Sequence, residues 1–168
     1  MRLLTFCLFT FLLSACGFHL RGAFDLPYQR FYITVAPDQV RGAELRRQIR
    51  AHHPEILVED IKAADAVFRE VGYHQDQIIA ALNAEGRARE YQLRLTYSFR
   101  VDDPQGNALT PVNTIVLTRD LTYDDNQRLA KDQEIAFLWD DMNRDLALQI
   151  LRRLTLTRPQ AQEPGRRE

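Results

Sequence analysis

Side chains able to do chemistry are thinly spread in this chain, and their spacing decides what each can do. Cys16 follows an apolar run from Leu3 to Leu13 and the small residues Ser14 and Ala15, and Cys7 lies inside that run. A thiol can be acylated, oxidised or bound to a metal, according to its surroundings. His19, His52, His53 and His74 form no metal-ligand spacing, and the adjacent His52 and His53 must leave a helix on different sides. Asp102-Asp103 and Asp124-Asp125 sit in or beside turn compositions, where aspartate serves the backbone, while Asp140-Asp141 falls on the polar side of a predicted helix. A general acid and base must share a cleft, which adjacency in sequence does not supply. There is no phosphate-cradling glycine loop and no nucleophile elbow. These residues argue against an enzyme and call for no cofactor and no metal.

The cations have more content. Arg87 and Arg89 flank a predicted hairpin turn, Arg94 and Arg100 lie on the polar side of the next strand, Arg119 interrupts the one after, and Lys131 opens the last helix. Guanidinium forks suit phosphate and carboxylate, and a helix N-terminus adds backbone donors. Together these groups could hold an anionic lipid head group. The alternative is a solvated polar face, since Glu85, Glu90 and Asp132 stand close by, and composition alone favours it. The formal net charge of −1 excludes a globally basic nucleic-acid binder.

Arg2 is the only charge before Cys16, so the N-terminus has a charged start, a short apolar stretch and a small-residue cleavage site. The stretch is too short to span a bilayer. Leu13-Ser14-Ala15-Cys16 resembles a bacterial lipoprotein signal box, which implies cleavage before Cys16 and acylation of it. An ordinary secretory signal with an incidental cysteine is the plainer alternative. Cleavage would leave no free thiol, hence no disulfide and no thiolate-bound metal. Gly17, in place of an aspartate, favours the outer membrane under the sorting rule of such proteins.

The rest is of single-domain size. Residues 1–15 read as a signal peptide, 16–30 as a lipidated lead-in, 31–157 as the domain and 158–168 as a disordered polar tail with Pro159 and Pro164. Phe31 to Val35 is rich in β-branched and aromatic residues and predicts a strand. Asp38 is placed to cap a helix from about Gln39 to His52, ended by Pro54, with Val40, Ala43, Leu45 and Ile49 on its apolar side and Arg41, Arg46, Arg47 and Arg50 largely elsewhere. Ile56-Leu57-Val58 reads as a short extended piece. A strand begins near Ala66 and continues toward Leu82, and Asn83-Ala84-Glu85-Gly86 supplies a turn. Tyr91, Leu93, Leu95, Tyr97, Phe99 and Val101 alternate with polar residues, the pattern of a strand buried on one face. Residues 102–107 are turn-like, and Ile115, Leu117, Leu121 and Tyr123 mark a further strand. Ile135, Leu138, Met142, Leu146, Ile150 and Leu154 form the stripe of a helix from about 130 to 154. One-sided strands and one-sided helices predict an α+β fold: a two-layer sandwich of about four strands in a mixed sheet, with two helices on one face.

Cys16-Gly17-Phe18-His19-Leu20-Arg21-Gly22, Glu90-Tyr91-Gln92-Leu93 and Leu129-Ala130-Lys131-Asp132-Gln133-Glu134, in that order with Arg119 upstream of Lys131, resemble the LptE family of lipopolysaccharide-assembly lipoproteins. The resemblance covers nearly all of the mature domain except the tail. It implies a non-enzymatic outer-membrane protein, anchored through acylated Cys16 with its domain on the periplasmic side. The partner it implies is the LptD β-barrel, whose lumen the protein plugs and whose assembly it aids. It also implies lipopolysaccharide as ligand. Lys131 matches a basic position tied to that binding. The family's other basic position falls at Ala84, where Arg87 and Arg89 are the nearby candidates to replace it. A peripheral lipoprotein that scaffolds another envelope or transport complex, without binding lipopolysaccharide, is the alternative, and a periplasmic hydrolase would need a cleft of converging titratable groups.

Overall fold

The alternation along the longest central strand organises the molecule. A computed structural model of the chain describes residues 26–156. In chain order it contains β1 (Phe31–Ile33), α1 (Val40–His52), β2 (Ala66–Leu82), β3 (Ala88–Asp102), β4 (Asn113–Thr122) and α2 (Arg128–Leu156), with single 3₁₀ turns at Pro54–Ile56, Ile61–Ala63 and Asp125–Gln127. The strands form one sheet in the order β1-β2-β3-β4. β1 runs parallel to β2 and the other pairs are antiparallel. Both helices pack on one face, so the architecture is the expected two-layer α+β sandwich.

Leu93, Leu95, Tyr97, Phe99 and Val101 of β3 are all at most 1% exposed. They meet Phe68 from β2, Ile115 and Leu117 from β4, Leu45 and Ile49 from α1, and Met142, Leu146, Ile150 and Leu154 from α2 in one core. The residues between them on β3 form the open face, where Arg94 stands opposite Asp76 and Thr118, and the Ser98 and Thr114 hydroxyls lie 2.9 Å apart.

The first helix departs from its sequence pattern. It starts at Val40, after Gln39, and no side chain caps it, so Asp38 does not hold the predicted capping position. Leu45 and Ile49 are buried as expected, but Val40 is 52% exposed and Ala43 is also exposed, while Gly42 and Glu44 face inward. Close approach explains this: a Cβ at Gly42 would collide with the Ala36 carbonyl oxygen. Two arginines expected on the outer side also turn in. Arg46 donates to the carbonyls of Ile33 (2.9 Å) and Val35 (2.6 Å), closing the end of β1. Arg41 grips Glu70 at 2.6 Å and lies 4.0 Å over the Tyr73 ring. The extended piece at Ile56-Leu57-Val58 reduces to a bridge between Leu57 and Phe31 after a 3₁₀ turn. α2 is longer than its stripe predicts by about half a turn at each end.

Candidate anion-binding end of the sandwich

Two turns build one end of the molecule. In the β2–β3 turn, Asn83 Oδ1 accepts from the backbone N–H of Glu85 (3.1 Å) and of Arg87 (2.8 Å). Gly86 takes φ +77°, a conformation few other residues adopt without strain. In the turn before α2, Asp124 Oδ1 accepts from the Asn126 N–H at 3.0 Å, which leads the chain into the helix. The Tyr123 N–H donates to the Arg89 carbonyl at 2.7 Å, and the Tyr91 and Tyr123 rings meet edge to face at 5.0 Å. The β2–β3 turn and the first turns of α2 therefore share one end.

The sequence-predicted cations meet different fates. Arg87 and Arg89 stand at this end, mostly exposed; Arg87 lies 4.0 Å from Asp125 and Arg89 3.0 Å from Glu90. Lys131 is on α2 near the same end. Its ammonium bonds Glu134 at 2.8 Å, and its side chain is only 16% exposed. Ala84 is an exposed residue of the turn. Arg119 does not join them: it points to the helix side, between Asp141 (3.5 Å) and Asp145 (3.2 Å). Arg100 sits at the opposite end of β3, paired with Asp102, and Arg94 lies on the open sheet face. The predicted basic cluster is thus divided between two faces and two ends. At the shared end, Glu85, Glu90, Asp124, Asp125, Asp132 and Glu134 outnumber Arg87, Arg89, Arg128 and Lys131. No cation there stands ready without a carboxylate beside it, Arg128 aside.

The chain enters the sandwich at the other end. The N–H groups of Gln29 and Arg30 donate to Asp65 Oδ2 at 3.2 and 3.0 Å, and Tyr28 stacks on Phe31 with ring centres 5.4 Å apart. β2 has 17 residues, so the entry and the β2–β3 turn are separated by roughly 55 Å. Cys16 and the segments read from sequence as signal peptide and polar tail lie outside the described residues.

Sequence reasoning missed the polar groups buried near the entry. Asp102 is wholly buried between Arg69 (2.6 Å) and Arg100 (2.9 Å), under the β3–β4 loop, which folds back so that Thr110 Oγ1 accepts the Val101 N–H. Its place in a turn-like run gave no hint of burial. Glu44 accepts from Arg47 and Gln48, both at 2.9 Å, and the Arg47 guanidinium holds its carboxyl below the usual value. A cavity of about 270 Å³ between α1 and β1 is lined by Tyr32, Pro37, Arg46, Arg50 and Glu59. Arg46 is committed to carbonyls there, and Arg50 lies 3.7 Å from Glu59. Among the described residues no three His, Cys, Asp or Glu gather as a metal site, and no helix is long and apolar enough to cross a membrane.

A single mixed sheet with one face roofed by two helices and the other left open defines a small two-layer α+β sandwich. The same fold occurs in the solution structure of a lipoprotein B from Nitrosomonas europaea, 34% identical with a TM-score of 0.70 over 83% of this chain and 90% of that one. A minor lipoprotein from Acinetobacter baumannii is 28% identical with a TM-score of 0.67, over 82% and 99% of the two chains. The LPS-assembly lipoprotein LptE of Photorhabdus laumondii is 29% identical over 160 residues, 92% of this chain and 85% of that protein. The family model for LptE, lipopolysaccharide assembly, matches residues 28–154, and this chain belongs to that family.

Proposed function

We propose that this protein is a non-enzymatic outer-membrane lipoprotein of lipopolysaccharide assembly. Residues 1–15 are its signal peptide, an acyl group on Cys16 its anchor, and residues 16–30 the lead-in to the domain. The domain seats as a plug in an LptD-type β-barrel, helps that barrel assemble, and presents Lys131, Arg87 and Arg89 to lipopolysaccharide. The observation that carries this reading is polarity. The chain-entry end and the end that carries Lys131, Arg87 and Arg89 lie roughly 55 Å apart, whereas the hydrocarbon core of a bilayer is about 30 Å thick. A domain tethered in the periplasmic leaflet is long enough to reach through a barrel toward the outer one.

The cross-section supports a plug as well. Four strands spaced about 4.8 Å apart beneath a helix layer about 10 Å away are too wide for an 8-stranded barrel, whose interior its own side chains fill, and call for one of the larger barrels. Such lumens are polar. The open sheet face offers Arg94, Asp76, Thr96, Ser98 and Asp120 to that lining, with Val116 and Ile78 as exposed apolar residues among them.

Purification from outer membranes through a C-terminal tag tests the partnership. A large barrel protein recovered in equal amount is the expected result. Recovery without a barrel, together with other envelope proteins, would favour the peripheral scaffold. Cys16→Ser should release the protein from the membrane with its fold intact. If that variant fractionates with the membrane and the wild type carries no lipid mass, the anchor is wrong.

A further inference from the structure

We propose that Glu134 is a selectivity gate: it holds the Lys131 ammonium until a phosphate-rich head group displaces it, and so keeps singly charged phospholipids off this end. The inference rests on the reading that this end contacts lipopolysaccharide. The Lys131 side chain is 16% exposed and Glu134 is 46% exposed, with 2.8 Å between Nζ and Oε2. The two residues are three apart on α2, so the helix itself builds the pair. Glu134 takes one of the three ammonium donors and competes with an incoming anion for the charge.

The surplus of acids around it gives this exchange its consequence. A ligand with one negative charge gains from Lys131 about what Glu134 already supplies, and meets repulsion from the neighbouring carboxylates. A head group with two phosphate esters brings more charge and more acceptors. It can engage Lys131 with the exposed Arg87 and Arg89 through charge-assisted bonds. Surface pairs of this kind are weak enough to exchange. The gate therefore passes density of charge rather than charge alone.

The test is a titration of the mature acylated chain, purified from membranes in nonionic detergent, against purified lipopolysaccharide and, separately, phosphatidylglycerol in the same micelles. Circular dichroism first establishes the fold of every variant. Wild type should prefer lipopolysaccharide. Glu134→Gln should bind both lipids more tightly, with the larger gain, about fivefold, for phosphatidylglycerol, which narrows the preference. Asp132→Asn removes the same charge beside it but not the ion pair, and should do less. In Lys131→Gln, adding Glu134→Gln should change little, because the glutamate acts through the lysine. If Glu134→Gln and Asp132→Asn behave alike, or Glu134→Gln leaves the preference unchanged while Lys131→Gln still weakens binding, the gate is overturned and the contact stands. If wild type does not bind lipopolysaccharide, or Lys131→Gln binds it unchanged, the gate and the assignment of Lys131 fall together.

Discussion

The half of the sandwich beside the chain entry and the half beside the β2–β3 turn share one sheet under different cover. α1 has 13 residues, about 20 Å of helix, against roughly 55 Å of β2. It roofs only the entry half, where β1 also pairs with the first residues of β2. Beyond Glu70 the outer edge of β2 carries no strand among the described residues, and α2 alone lies above the sheet. The register makes the effect visible. Gln75 and Gln77 lie opposite Leu95 and Leu93, on the helix side, yet both glutamines are exposed, and Ile79 opposite Tyr91 is 54% exposed. Polar groups separate in the same way. Glu44, Asp102, Asp103, Thr110 and Asn143 are buried outside the far end, whereas each of the far end's ion pairs has at least one exposed partner. The entry half is roofed by both helices, and the far half keeps its core under α2 while leaving one edge of the sheet uncovered.

The largest test of this contrast compares two apolar truncations. Phe99 is 1% exposed and stacks on Phe68 with ring centres 5.2 Å apart. Phe99→Ala should cost about 3–4 kcal/mol, the range for emptying an aromatic site. Ile79→Ala, on the uncovered part of β2, should change stability by less than about 0.5 kcal/mol. Urea midpoints measure both. Comparable losses would mean the far half is as much a part of the core as the entry half.

A buried carboxylate gives the next effect. Asp102→Asn leaves Arg69 and Arg100 without their shared anion and should cost about 2 kcal/mol, moderated by the partial exposure of both arginines. Glu90→Gln, which breaks only the exposed pair with Arg89, should fall within about 0.5 kcal/mol. A loss for Glu90→Gln equal to that of Asp102→Asn would erase the distinction between the ends.

The entry half also predicts an acid response. The Glu44 carboxyl lies below its ordinary value of 4.5, chiefly through its bond from Arg47. A group lowered in the folded state stabilises the fold above its unfolded pKa, and that contribution fades as pH falls through the folded value. Wild type should therefore lose stability between about pH 5 and 3 more steeply than Glu44→Gln. Parallel curves of melting temperature against pH would remove Glu44 from the acid response.

In β3 and α2 one face is buried along most of the element, and there the periodicity was legible. The alternation of β3, the stripe of α2 and the Asn83–Gly86 turn all follow from residue type and spacing, and so does the two-layer arrangement. What the pattern could not carry is length and tertiary approach. Nothing in the α1 sequence says that Gly42 must touch the Ala36 carbonyl, which rotates the helix so that Glu44 turns inward and Val40 outward. Asp102 looks like a turn residue because its burial depends on a loop folding back over it. The candidate end was half readable. Hairpin and helix-start cations could be named from sequence, but the split of Arg119 and Arg100 from them requires the register. The acids opposing them were visible nearby, and only the geometry pairs each with its cation.

The smallest expected effect concerns the far end itself. Arg87 and Arg89 are 69% and 66% exposed, and each has one acidic neighbour at the surface. Reversing both to glutamate should leave the melting temperature almost unchanged, since neither side chain supports the core. It should also leave most of a barrel complex in place. A plug meets its lumen over a broad surface, and single rim charges contribute little to a stable association. What should fall is binding to lipopolysaccharide, together with the sensitivity of that binding to salt, because screening acts most strongly on exposed charges. Recovery of the barrel with the tagged double variant, beside a lipid titration at low and moderate salt, separates the two roles. Loss of the barrel from a folded double variant would make the far end the main protein contact, and the division of labour between the halves would have to be redrawn.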